Sequence, residues 1–133
     1  MSVTGRCSCS AVKFTVSGPL RDVAYCHCSE CRRWHGGTGH WTNAPRETVT
    51  FQAEAGLKWV PTPNGKSKRG FCKECGSSLF YDDGRPKLSI CAGALDMPTG
   101  LKSLAHIYWA SRADYEATPN DGLPLHDEWA KKS

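Results

Sequence analysis

Apolar and polar residues alternate along AVKFTV (11–16), which puts Val12, Phe14 and Val16 on one face. That period of two is the mark of a half-buried strand, and the SGP that follows is a turn signal. DVAYCHC (22–28) also reads as extended. ETVTFQA (47–53) sets Val49 and Phe51 on one face, and LKWV (57–60), KRGFC (68–72), SLFYD (78–82) and KLSICAG (87–93) follow as further short strands. AHIYWAS (105–111) is the last. Helical periodicity is nearly absent. Only SECRRWH (29–35) is suited to a helical turn, with Ser29 as its N-cap. The tail NDGLPLHDEWAKKS reads as loop with a short terminal helix. Many short strands punctuated by 13 Gly and 8 Pro predict a mainly β fold of small antiparallel sheets. A length of 133 residues without a repeat or linker predicts one domain over residues 1–133.

Composition changes this picture through cysteine. Eight Cys is high for this length, so crosslinks are expected to supplement a modest core. The start, MSVTGRCSCS, has no apolar run of the secretory type, and no segment is apolar enough for a membrane span. The expected location is therefore cytoplasmic, where thiols stay reduced, and reduced thiols at short regular spacing point to zinc rather than disulfides. The formal charge of +4 does not indicate a nucleic-acid partner. Seven thiolates and two zinc ions bring it to about +1, and the Lys and Arg runs form no dense basic face.

The cysteines stand at 7, 9, 26, 28, 31, 72, 75 and 91. Cys7 and Cys9 form C-x-C, which on a strand points both sulfurs to one face. Cys72 and Cys75 form C-x-x-C followed by Gly76, the zinc-knuckle pattern, in which glycine permits the tight turn behind the thiolates. These two pairs make one closed four-sulfur site. Cys26, Cys28 and Cys31 make a three-sulfur set. It is either an open zinc site or one closed by Cys91, His27 or His35. Cys91 lies in an apolar strand and reads as a buried small hydrophobe. His27, between two ligands in an extended run, should point away from the metal and serve as a hydrogen-bonding residue. His106 reads as a satisfied strand histidine, whereas His35 and His40 are better placed to approach a substrate.

GRCSCSAVKF, YCHCSECRRWHGG, FCKECGSSLF, AGALD and HIYW occur in the order found in the glutathione-dependent formaldehyde-activating (Gfa-like) family, which includes centromere protein V. The chain resembles that family over roughly residues 5–125. The resemblance implies a β-tent fold stabilised by two zinc ions. One is structural, on Cys7, Cys9, Cys72 and Cys75. The other is catalytic, on Cys26, Cys28 and Cys31. The implied activity is condensation of formaldehyde with glutathione to S-(hydroxymethyl)glutathione, a carbon–sulfur lyase reaction in reverse, or chemistry on a related carbonyl, imine or thiol adduct. Ser10 departs from the pattern, standing where the family favours glycine.

Three thiolates give a zinc site a net charge of −1, which suits thiol binding better than water activation. Arg32 and Arg33 follow the ligand triple and are candidate contacts for a substrate carboxylate. Trp34 and Trp109 are candidate pocket walls, and Glu30 a candidate proton shuttle. The expected partner is thus a small molecule such as glutathione, with neither nucleic acid nor membrane. The alternative is a zinc-stabilised binding module without chemistry.

Overall fold

The computed structural model describes residues 2–129. They fall into two compact units, one built from residues 2–21 and 42–100, the other from 22–41 and 101–129.

The first unit holds two sheets. In the three-stranded one, β2 (Lys13–Val16) lies between β1 (Val3–Arg6) and β5 (Val49–Ala53), all antiparallel. In the other, β6 (Leu57–Pro61), β7 (Lys68–Cys72), β8 (Ser78–Asp82) and β9 (Lys87–Cys91) run antiparallel in chain order. The alternation predicted along 11–16 is present, with Val12, Phe14 and Val16 fully buried. Phe14 meets Phe80 edge-on at 5.1 Å, Phe51 meets it at 5.7 Å, and Trp59 stacks on it at 6.0 Å. Rings from β2, β5, β6 and β8 thus converge on one core, where each buried aromatic contributes area and a favourable quadrupole arrangement. The bidentate Arg46–Asp82 pair, at 3.0 and 2.9 Å, fastens the end of β8 and holds the Asp82 carboxyl below the usual carboxylate range.

The second unit is built on β3 (Val23–Cys26). On one side it pairs antiparallel with the start of β4 (Gly39–Pro45), and on the other it pairs in parallel with β10 (Ser103–Ile107). The small antiparallel sheets expected from the sequence are present, and the β3–β10 pairing adds a parallel one. The strands come from segments far apart in the chain, so no hairpin dictates their direction. Between β3 and β4 lies the one α-helix among the described residues, α1 (Ser29–His35). Its N-cap is Cys28 rather than Ser29, because the Cys28 Sγ accepts the Cys31 N–H while its backbone stays extended. Arg32, Arg33 and His35 occupy its last turn, where positive charge suits the helix dipole.

Two strands escape the sequence pattern: β1, a short edge strand, and β4. Three expected strands are shortened by single 3₁₀ turns, at Arg46–Thr48, Ala92–Ala94 and Trp109–Ser111. The tail over 120–129 is irregular apart from a bridge between Leu125 and His106. The rest of the expected terminal helix, 130–133, lies outside the described residues. No described helix is long and apolar enough to cross a membrane.

Candidate metal centres and their surroundings

Two groups of thiols come together, and they are the two groups marked out by spacing. In the first unit the Sγ atoms of Cys7, Cys9, Cys72 and Cys75 all lie within 4.8 Å of one another. Cys7 and Cys72 are buried, and Cys9 and Cys75 face solvent. The Cys7–Cys9 and Cys9–Cys72 sulfurs are 3.8 and 3.7 Å apart. A tetrahedron of Zn–S bonds about 2.3 Å long has edges of about 3.8 Å, so the donor set fits zinc. The Val12 N–H reaches the Cys7 Sγ at 3.2 Å, the orientation a thiolate requires. Gly76 sits behind Cys75 at φ +82°, the left-handed conformation that glycine tolerates. Two further bonds close the knuckle, from Gly76 N–H to Cys72 O and from Cys72 N–H to Ser77 O. The thiols ionise unequally. The Ser77 hydroxyl and backbone draw Cys75 down to about 5. The Ala11 backbone lowers Cys9, but burial and competition with the other three thiols push it up to about 12. Cys7 is also drawn down, because the Val12 N–H and the Cys72 and Cys9 thiols outweigh its burial.

In the second unit Cys26, Cys28 and Cys31 form a three-sulfur group within the same 4.8 Å limit. Cys26 closes β3, Cys28 caps α1, and Cys31 lies in its first turn. Proximity to Cys28 and Cys31, with burial, raises the Cys26 thiol far above its ordinary value. Gly39 lies directly over this group. A Cβ there would stand 2.6 Å from the Trp41 Nε1, 3.1 Å from the His35 Nε2 and 3.2 Å from the Cys31 Sγ. No fourth Cys, His or carboxylate joins the group among the described residues. Cys91, buried in β9, hydrogen-bonds with Ser78 at 3.4 Å and stands in neither cluster. Arg32 is half-buried, with its Nε enclosed and lacking a hydrogen-bond partner, whereas Arg33 and Glu30 are exposed.

The larger surprise is a chain of hydrogen bonds in the second unit. The His27 Nδ1 lies 2.6 Å from the Glu116 Oε1, the His27 Nε2 is 2.8 Å from the His106 Nδ1, and the His106 Nε2 is 2.7 Å from the Asp121 Oδ2. Both histidines are buried. The remaining carboxylate oxygens accept backbone N–H groups, Ala113 to the Glu116 Oε2 and Leu123 to the Asp121 Oδ1. His106 and the Leu123 N–H hold Asp121 below the usual carboxylate range, and Glu116 is also lowered, because Ala113 and His27 outweigh its burial. The expectation that His27 is a hydrogen-bonding residue describes what is seen. Sequence reading missed Glu116 and Asp121, and only the clustering of polar residues in the tail hinted at them. Trp109 packs edge-on to His27 at 4.8 Å, as a wall of this network.

A cavity of about 430 Å³ opens on the same side, lined by Tyr25, His27, Thr38, His40 and His106, with Ser103, Asp121 and Leu123 around them. The Tyr25 and His40 rings meet edge-on at 4.7 Å, and the Tyr25 hydroxyl is 2.5 Å from that of Ser103. Burial, then the charges of His27 and His106, lower the His40 pKa.

Comparison with known proteins agrees with this layout. The family model described as "Glutathione-dependent formaldehyde-activating enzyme" matches residues 2–111. A Halomonas elongata protein named "Putative glutathione-dependent formaldehyde-activating enzyme" is 32% identical over 97 residues, covering 64% of this chain and 59% of that protein. The match thus spans about three fifths of that relative's length. A crystal structure of a Rhodobacter sphaeroides protein superposes with a TM-score of 0.60 at 20% identity, covering 92% of this chain and 98% of that one, and so shares the fold. With most of its length matched by the family model and both thiol groups assembled, this chain belongs to the glutathione-dependent formaldehyde-activating enzyme family.

Proposed function

We propose that the protein is a zinc-dependent enzyme that adds a small thiol to a carbonyl compound, with glutathione and formaldehyde as the substrate pair and S-(hydroxymethyl)glutathione as the product. The observation that carries this reading is the inequality of the two thiol groups. Four sulfurs close a tetrahedral site, whereas three leave one position for a ligand from outside. Cys7, Cys9, Cys72 and Cys75 then hold a structural ion, and Cys26, Cys28 and Cys31 hold the working one. A zinc ion at the triad supplies a lowered thiol pKa and polarisation of a bound oxygen.

In the reaction the substrate S–H proton leaves, a sulfur–carbon bond forms, and the carbonyl π pair moves to oxygen, which is protonated. Atoms and charge balance without an oxidant. The residues of the chain confine and orient. The half-buried Arg32, with its enclosed Nε lacking a partner, is better placed than the exposed Arg33 to hold a carboxylate of the thiol substrate. Gly39 keeps the space over Cys31 free of a side chain.

The test is NMR exchange between glutathione and its hydroxymethyl adduct in formaldehyde, with zinc-loaded protein and with Cys28→Ser. Acceleration above the uncatalysed exchange that disappears in Cys28→Ser supports the reading. Unaccelerated exchange with two zinc ions bound removes this substrate pair and favours a zinc-stabilised binding module.

A further inference from the structure

The histidine-lined cavity does not open onto the cysteine triad. Cys26 is the register partner of Gly39, and Tyr25 is the partner of His40. Successive side chains on a strand point to opposite faces. Cys26 and Gly39 therefore face one way, in keeping with the approach of Gly39 to the Cys31 sulfur. Tyr25, His27, Thr38 and His40 line the cavity on the other face, together with His106, the β10 partner of Tyr25.

Hydrogen-bond accounting then shows what this cavity can offer. His27 and His106 have all four ring nitrogens committed to each other and to Glu116 and Asp121. Asp121 has both oxygens committed, one to His106 and one to the Leu123 N–H. The ring nitrogens are thus fully used within the wall and leave no hydrogen-bonding position for a guest. The uncommitted capacity lies elsewhere. The side chains of His40 and Thr38 have no hydrogen-bond partner among the described residues. The Tyr25–Ser103 hydroxyl pair shares one hydrogen internally and keeps another to donate. Each of these groups can donate, and Asp121, the carboxylate in the lining, has each oxygen already accepting one hydrogen bond. A volume of about 430 Å³ matches a small metabolite.

We propose that this cavity is a second small-molecule site, separate from the cysteine triad, that takes a small organic carboxylate on the His40 ring, the Thr38 hydroxyl and the Tyr25–Ser103 pair. The anion gains charge-assisted or neutral hydrogen bonds from three directions, against a wall already tied together by the His27–His106 network. Leu123 gives the aliphatic part of the acid an apolar contact.

The experiment is calorimetric titration of the zinc-loaded full chain with succinate, and with uncharged succinamide as its isostere, accompanied by NMR of the histidine rings. Saturable succinate binding that shifts the His40 ring signals is expected, with succinamide weaker by about tenfold or more. Thr38→Val and His40→Gln should each weaken succinate by about tenfold, whereas Cys28→Ser should leave it unchanged. S-methylglutathione separates two sources of carboxylate. A His40 shift with succinate alone assigns a free acid, and a shift with both extends the class to peptidic acids. Absence of a saturable His40 shift with either probe overturns the proposal. So does equal binding of succinate and succinamide, or loss of binding in Cys28→Ser while that variant keeps the wild-type fold.

Discussion

The two thiol groups solve different problems with the same side chain. The first joins residues far apart, Cys9 and Cys72 being 63 positions from each other. The second takes all its sulfurs from six consecutive residues, 26–31. Closing a long loop removes much more freedom from the unfolded chain than closing a short one. Metal at the four-sulfur group would therefore act on the stability of the unit that contains it. On the same argument, metal at the triad would do little for folding and would leave a coordination position for a guest. Ligand count and loop length point the same way, so one group is suited to holding the chain and the other to handling a substrate.

The comparison breaks most severely at Cys72. Binding of a structural zinc is worth about 10–16 kcal/mol, as much as or more than a typical domain stability of about 5–15 kcal/mol. Cys72→Ser should therefore yield an unfolded or insoluble chain, read by circular dichroism and thermal melting. A folded Cys72→Ser protein with unchanged metal content would refute the structural role. Cys28→Ser should melt cooperatively with a wild-type spectrum and carry one zinc per chain instead of two, by metal analysis. Collapse of its fold would make the triad structural as well.

A subtler change reaches the triad from a distance. His27 stands between two of its cysteines, and its ring is held by Glu116 from 89 residues away. Glu116→Gln exchanges a charge-assisted bond for a neutral one and loosens the residue between two ligands, so the triad's affinity should fall by less than the about 10- to 100-fold typical of a ligand's own partner. Chelator competition should then show faster loss of one zinc, with the other retained. The smallest effect belongs to Ser10, a non-glycine residue at φ +70° between Cys9 and Val12. The left-handed region costs an L-residue about 1–2 kcal/mol, partly offset by the greater unfolded freedom of glycine. Ser10→Gly should raise stability by about 0.5–1 kcal/mol, seen as a small rise in Tm without a change in metal content.

What the sequence made legible was local. C-x-C, C-x-x-C-G and the triad each fit within a few residues, and their spacing sufficed to group seven cysteines into the two sets that assemble. Alternation revealed β2 because Phe14 and Val16 face a core while Lys13 faces water. It failed for β4, where Trp41 and Thr42 are both buried and the period of two is lost. It failed in a different way for the Glu116–His27–His106–Asp121 chain. Each member is an ordinary polar residue among ordinary neighbours, and only three-dimensional proximity turns them into a network. The parallel pairing of β10 with β3 was hidden for the same reason, since register between distant segments leaves no local trace. The N-cap was misplaced by one residue because a thiol took the place that a hydroxyl usually fills.

The interleaving of the two units has a consequence for synthesis. All of the first unit has been translated by residue 100, but the second still lacks β10, Glu116 and Asp121. Nascent domains generally close in the order their segments emerge. The triad thus emerges early, as three thiols on a strand whose parallel neighbour has not yet been translated. During that interval Cys26, Cys28 and Cys31 are open to oxidants and to whichever soft cation arrives first. Any ion the triad takes at that stage would be chosen by the metal supply around the ribosome, before His27 finds its partners.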